Sequence, residues 1–203
     1  MEDMINTIQL GNCYELIKKI PDKSVDLIVI DPPYLIETDG AGMFNKDKND
    51  GSKWYVKGER YVMKNIDSMK NGFTNELLDE LCRVMKKINI YVWCSQKQII
   101  QLLDYFVKEK HCNWNLLCWH KTNPLPTCSN KYLPDTEYLL FFRETGVKIY
   151  GTMQTKFTYY VSRLNVKDKK IWHHPTIKPL NIIENLIINS SEVGGGSFRY
   201  LCG

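Results

Sequence analysis

Four consecutive residues carry chemistry in this chain: Asp31, Pro32, Pro33 and Tyr34, at the end of the stretch DLIVIDPPY (residues 26–34). Ionised Asp31 only accepts hydrogen bonds, and the Pro32 carbonyl is a second acceptor with no amide proton of its own. Two acceptors side by side suit the two protons of a weakly nucleophilic amine. The exocyclic amine of a nucleobase is of that kind, because its lone pair is delocalised into the ring and must be drawn towards tetrahedral geometry before it can attack. Tyr34 adds an aromatic face. A base rotated out of a duplex needs such a surface to offset the few kcal/mol or so of lost stacking.

These residues need a strand behind them. The apolar run before Asp31 reads as a buried strand, and the Pro-Pro pair forbids its continuation. In an open α/β sheet, ligands sit outside the carboxyl ends of the strands, which places the turn at Asp31 over the crevice. Downstream, residues 71–87 carry Phe73, Leu77, Leu78, Leu81, Val84 and Met85 at helical spacing. Residues 88–94 read as a second buried strand and residues 95–110 as a second amphipathic helix. Residues 114–120 and 136–143 are further strand candidates, and the alternation predicts a parallel α/β sheet. Pro179 opens a last helix with an apolar face of Leu180, Ile183, Leu186 and Ile187, and Thr176 stands just before it to serve its free amides.

The bulk properties fit one domain spanning residues 1–203, with 43% hydrophobic residues to build a core. A formal charge of +4 allows DNA contact if the lysines cluster. The seven cysteines are odd in number and form no CxxC pair, and the four histidines lack metal-ligand spacing with them, so neither a disulfide framework nor a metal site is expected. No apolar run approaches the ~20 residues of a membrane span. With Glu2 and Asp3 in place of a signal peptide, a soluble cytoplasmic protein is expected.

Two regions are candidates for contact with nucleic acid. Residues 35–69 are polar and glycine-rich, reading either as a loop that closes over a bound base, with Lys46, Lys48, Lys53 and Lys57 on phosphates, or as a solvated loop. Residues 151–170 interleave Lys156, Arg163, Lys167, Lys169 and Lys170 with Phe157, Tyr159 and Tyr160. Cations can neutralise phosphates and aromatics can stack, so this stretch is predicted to be a small DNA-reading insert. Trp119, His120 and Lys121 are either an ordinary strand end or neighbours of the base pocket, and the second reading is preferred.

DPPY directly after a hydrophobic strand, led in by IQLGNCYELIKKIPDKSVD (residues 8–26), resembles the catalytic motif of the DNA amino-methyltransferases, which methylate adenine N6 or cytosine N4. WHKTNP (119–124) and YLPDTEYLLFFRE (132–144) are similar to sections of the short phage and prophage members, and HPTIKP (174–179) to the helix start that helps hold the methionine end of S-adenosylmethionine. Catalytic motif first and cofactor helix last is the order of the permuted β type. The resemblance implies a Rossmann-like α/β methyltransferase fold, double-stranded DNA as partner, S-adenosylmethionine as cofactor and no metal. It gives Asp31, Pro32, Pro33 and Tyr34 catalytic roles, assigns Asp31, Thr176, Lys178 and Pro179 to the cofactor, and assigns Lys121, Lys156, Arg163, Lys167, Lys169 and Lys170 to DNA. Adenine N6 is the expected target because the motif opens with Asp and not Ser. Cytosine N4 is the runner-up, and a non-catalytic DNA-binding remnant is the alternative from another class.

After that last helix the family continues with a strand and a glycine loop of the form VLDxFxGSGT. Here residues 192–203 read EVGGGSFRYLCG, with no strand expected before the glycines and no helix after them. The sequence therefore predicts a truncated chain that lacks the strands of the cofactor loop. Its strand at residues 26–31 would keep an unpaired apolar edge, and S-adenosylmethionine would bind weakly or not at all. One codon assignment for residues 196–203, GGT TCT TTC CGA TAC CTT TGC GGG, gives VLSDTFAG when read one base later. That predicts a single-base frameshift, which the gene's nucleotide sequence decides.

Overall fold

The computed structural model describes residues 7–35, 72–124, 132–164, 171 and 177–192, and the backbone of residues 198–202. Strand β1 (Leu27–Asp31) has its first four residues buried. A short helix α1 (Cys13–Leu16) and a 3-10 turn (Ile17–Lys19) lead into it, with the Asn12 side chain accepting from the Tyr14 amide at the helix start. Helix α2 (Asn75–Val84) follows, then β2 (Asn89–Cys94) and α3 (Gln96–Leu103). Beyond these lie β3 (Asn113–Lys121), β4 (Thr136–Arg143), β5 (Tyr159–Ser162), α4 (Leu180–Ser190) and β6 (Phe198–Cys202).

One sheet joins the six strands in the order β5-β3-β4-β2-β1-β6. β1 pairs parallel with β2, Ile28 opposite Ile90, and β4 runs antiparallel to both β2 and β3. The sheet is thus mixed and not wholly parallel as expected. No described helix joins β3 to β4, so the chain can return as an antiparallel neighbour, whereas a parallel return needs a crossover.

Alternation along the strands builds a core on each face. Ile28, Ile30, Ile90, Val92, Leu140 and Phe142 face α2 and α3, which contribute Leu77, Leu78, Leu81, Val84 and Leu102. Burying each such side chain is worth roughly 1.5–3 kcal/mol. Leu27, Val29, Tyr91, Trp93, Leu117, Trp119, Leu139 and Phe141 face the other way and meet Ile182 and Leu186 of α4. No described helix is long and apolar enough to cross a membrane.

β1 has no open edge: residues 198–202 pair with it in parallel, Leu27 opposite Phe198 and Asp31 opposite Cys202. The stretch FRYLC is rich in strand formers, and the edge of β1 presents backbone donors and acceptors that need partners. Gly194, Gly195 and Gly196 lie outside the described residues. Within the expected insert, Tyr159–Ser162 forms strand β5 of the sheet, pairing parallel with β3. The helix expected over residues 95–110 widens into a π-helical turn at Asp104–Glu109, which buries Tyr105 and Phe106. Helix α4 buries Ile182, Leu186, Asn189 and Ser190 and leaves Leu180 68% exposed. Its rotation follows tethers that periodicity does not reveal, because Asn189 exchanges hydrogen bonds with Thr155 (2.7 Å each).

Arg83 ties the lead-in segment to α2. It donates to the carbonyls of Ile17 and Ile20 (3.0 Å each) and pairs with Glu80 (2.8 Å) and Asp22. Ile17 and Ile20 are buried, so their carbonyls would find no easy substitute. Arg83→Ala is expected to lower unfolding stability by about 1–3 kcal/mol, read as a lower urea midpoint at unchanged slope. An unchanged midpoint would mean that water replaces the guanidinium without loss.

Candidate active site

The Asp31 turn stands at the carboxyl end of β1, held from two sides. On one side is the start of α3, a capping box in which Gln98 Oε1 accepts from the Ser95 amide at 3.0 Å. The Gln98 side chain is buried, and its Nε2 donates to the Pro33 carbonyl at 2.9 Å. This fixes the turn after Asp31 to a helix that is itself packed on the sheet.

On the other side, the approach to α4 delivers Lys178. Its Nζ lies 2.8 Å from Asp31 Oδ2 and 3.1 Å from Glu137 Oε2, with the side chain only 4% exposed. Glu137 Oε1 in turn lies 2.7 Å from Lys121 Nζ. Two carboxylates and two ammonium groups therefore alternate from β1 to β3, and their charges sum to zero. The Lys178 ammonium also sits 5.2 Å from the ring centroid of Tyr34 and 5.1 Å from that of Trp93, within cation–π range.

Burial and pairing oppose one another at these groups. Desolvation raises the Asp31 pKa above the ordinary carboxylate value, and the charge of Lys178 only partly offsets it. At Glu137 desolvation also raises the pKa, yet the combined pull of Lys178 and Lys121 leaves it below the usual value. Desolvation alone would lower the Lys178 pKa, and the two carboxylates more than reverse that. Lys178 is therefore a fixed cation. The Tyr34 hydroxyl is buried without a well-aligned partner among the described residues, and burial followed by the charges of Asp31 and Glu137 holds its pKa well above the ordinary value.

The structure brings Lys178, with Pro179 next to it in the chain, to the turn of Asp31, Pro32, Pro33 and Tyr34, and links Lys121 at the end of β3 to it through Glu137. Lys121 is 14% exposed and paired with Glu137, so it is not presented on an open surface. Trp119 is a core residue, its ring edge-on to Trp93 at 6.4 Å, and its Nε1 donates to Ser162 Oγ at 2.8 Å and fastens β5 to the sheet. His120 is partly exposed and lies against Tyr159, with ring centroids 6.3 Å apart. Lys156 and Arg163 are exposed on either side of β5. Thr176, Lys167, Lys169 and Lys170 lie outside the described residues, as do Lys46, Lys48, Lys53 and Lys57. Among the described residues no cluster of His, Cys, Asp or Glu could hold a metal ion.

Sequence reasoning passed over Glu137 and Gln98. An acid inside the otherwise apolar strand TEYLLFFR was the available signal for the first. The spacing Ser95-x-x-Gln98 at a helix start was the signal for the second.

A mixed α/β sheet with helices on both faces, and an acidic Pro-Pro-Tyr turn at the carboxyl end of an interior parallel strand, defines a Rossmann-like methyltransferase fold. The chain belongs to the DNA methylase family, whose N6/N4 methyltransferase model matches residues 25–196. Type II methyltransferase M2.MboI of Moraxella bovis is 27% identical over 205 residues, covering 94% of this chain and 73% of the relative. Type II methyltransferase M.HinfI of Haemophilus influenzae is 24% identical, covering 95% of this chain and 57% of the relative. Among solved structures, the cytosine-N4-specific PvuII DNA methyltransferase shares the fold with a TM-score of 0.62 at 12% identity, over 93% of this chain and 71% of that one. The M1.HpyAVI–SAM complex does so with a TM-score of 0.57 at 21% identity, over 91% and 78%.

Proposed function

We propose that this chain is an S-adenosylmethionine-dependent DNA methyltransferase acting on adenine N6. The observation that carries the reading is Asp31: an acceptor carboxylate at a strand end, followed by a prolyl carbonyl and a tyrosine, with one oxygen held by Lys178. Asp31 and the Pro32 carbonyl accept the two protons of the target amine, and the Tyr34 ring packs against the base. The bound donor would supply an electrophilic methyl group on a sulfonium. The charges at the site sum to zero, so the two carboxylates offset the repulsion of Lys178 and Lys121 on a cationic donor. Of the residues that the resemblance assigns to it, Asp31, Lys178 and Pro179 are described, with Lys178 paired to the two carboxylates, and Thr176 lies outside the described residues. Adenine is preferred to cytosine because the motif opens with Asp31 in place of serine.

Incubating duplex DNA with the purified chain and S-adenosylmethionine, then digesting it to nucleosides, tests this. N6-methyladenine is the expected product of a chain that binds the donor, and no product together with no measurable S-adenosylmethionine binding would match the weak or absent cofactor binding that the sequence predicts. N4-methylcytosine would move the target to cytosine, and duplex binding with neither product would favour a non-catalytic DNA-binding remnant.

DNA contact is assigned to Lys156 and Arg163, which are exposed, and to the neighbouring lysines. Replacing Lys167, Lys169 and Lys170 by alanine is expected to weaken duplex binding and to flatten its salt dependence by about 0.9 in log–log slope for each phosphate no longer neutralised. Fluorescence anisotropy over a salt series measures it. A slope equal to that of the parent would make these lysines solvated charges.

A further inference from the structure

We propose that Glu137 and Lys178 form a positioning pair for Asp31, in which Glu137 restrains the lysine ammonium to one carboxylate oxygen and leaves the other open to the target amine. This rests on the reading of Asp31 as the amine acceptor.

The ammonium has two acids within reach, Asp31 Oδ2 at 2.8 Å and Glu137 Oε2 at 3.1 Å. A buried lysine facing Asp31 alone would turn its donors onto that carboxylate and blunt it as an acceptor. A second carboxylate divides the lysine's interaction between two strands. Lys121, 2.7 Å from the other Glu137 oxygen, draws Glu137 from the side away from Lys178. The rings of Tyr34 and Trp93 close the remaining sides, and at 4% exposure Lys178 cannot swing out to water.

The groups around Asp31 are Lys178 from the approach to α4, Glu137 from β4 and Tyr34 from its own turn, with Cys94 on β2 and Lys121 on β3 behind them. Removing the two members of the pair therefore pushes the proton affinity of Asp31 in opposite directions. Without Glu137 the lysine closes fully on Asp31, and without Lys178 two buried carboxylates face each other.

The test reads Asp31 in the full chain, free of cofactor and DNA, by carboxyl carbon-13 NMR, using Asp31→Asn to assign its signal. Glu137→Gln is expected to lower the Asp31 midpoint and Lys178→Gln to raise it, by about 1–3 pH units. Should Lys178→Gln not fold, Lys121→Gln replaces it and is expected to raise the midpoint as well, because it frees Glu137 to draw Lys178 away. Shifts in the same direction, or none, overturn the pairing, since loosened packing has no reason to act with opposite signs. Methyl transfer by the parent chain is assayed alongside. Opposite shifts without methyl transfer support the pair and count against the proposed activity alone, while transfer without opposite shifts overturns the pair alone.

Discussion

Asp31→Ala is expected to cut methyl transfer by roughly three orders of magnitude while leaving cofactor affinity within about tenfold. The reason is where in the reaction the missing hydrogen bond matters. A planar amine in the ground state binds a carboxylate only modestly, whereas a pyramidalising nitrogen gains positive character and polarises its protons towards the acceptor. Interactions that strengthen along the reaction lower its barrier, and those that stay equal do not. Burial of the Asp31 side chain to 11% exposure enlarges the effect, because little water is present to take over as acceptor. Asp31→Asn separates charge from shape: it keeps the size of the side chain but adds a donor where an acceptor is needed, and it should be nearly as impaired. Steady-state turnover with saturating duplex and donor is the measurement. Near-parental turnover in either variant would remove Asp31 from the chemistry.

Lys178→Met is expected to destabilise the fold by about 3–5 kcal/mol, the usual cost of stripping one partner from a buried ion pair. Against a total stability of about 5–15 kcal/mol this is large, and for a chain of this length it corresponds to a fall in melting temperature of roughly ten degrees. The pH dependence separates this from a simple packing defect. In the parent, the Glu137 pKa lies below its ordinary value, so Glu137 adds stability above its unfolded pKa and loses it as pH falls through the folded one. In the variant both carboxylates lose that cation, so the Asp31 pKa, already above its ordinary value in the parent, rises further, and the Glu137 pKa rises with only Lys121 left to hold it down. Their ionisation then penalises the fold at every pH above about 4, and protonation lifts the penalty below it. The Lys178 pKa is raised in the parent, so its own contribution is complete throughout this acidic range. Denaturation curves of parent and variant should therefore differ most near neutral pH and converge towards pH ~4. A gap independent of pH would mean that Lys178 acts through its methylenes and not its charge.

Some of this architecture could be read directly from the residues. The strands at residues 27–31, 89–94, 113–121 and 136–143 and the helix at residues 75–84 lie within a few residues of their expected places, because apolar periodicity and the Pro-Pro stop are local properties of the chain. The DPPY turn at the carboxyl end of β1 was legible for the same reason, since its residue types limit both the backbone and the chemistry. Strand direction was not. β4 runs against its neighbours because its connection to β3 contains no described crossover helix, and β6 joins β1 because a free strand edge accepts whatever β-forming segment the fold brings to it.

The charge pairing at the site belongs entirely to the tertiary structure. Lys178 lies 147 positions after Asp31 and 41 after Glu137 in the sequence, and nothing local relates the three. Motif resemblance assigned Lys178 to a cofactor and Lys121 to DNA, yet folding brings both ammonium groups to Glu137. The physical reason is desolvation. Once β1, β4 and the approach to α4 pack together, a buried carboxylate needs a cation within a few ångströms, and which lysine answers depends on where the strands end in space and not on where they stand in the sequence.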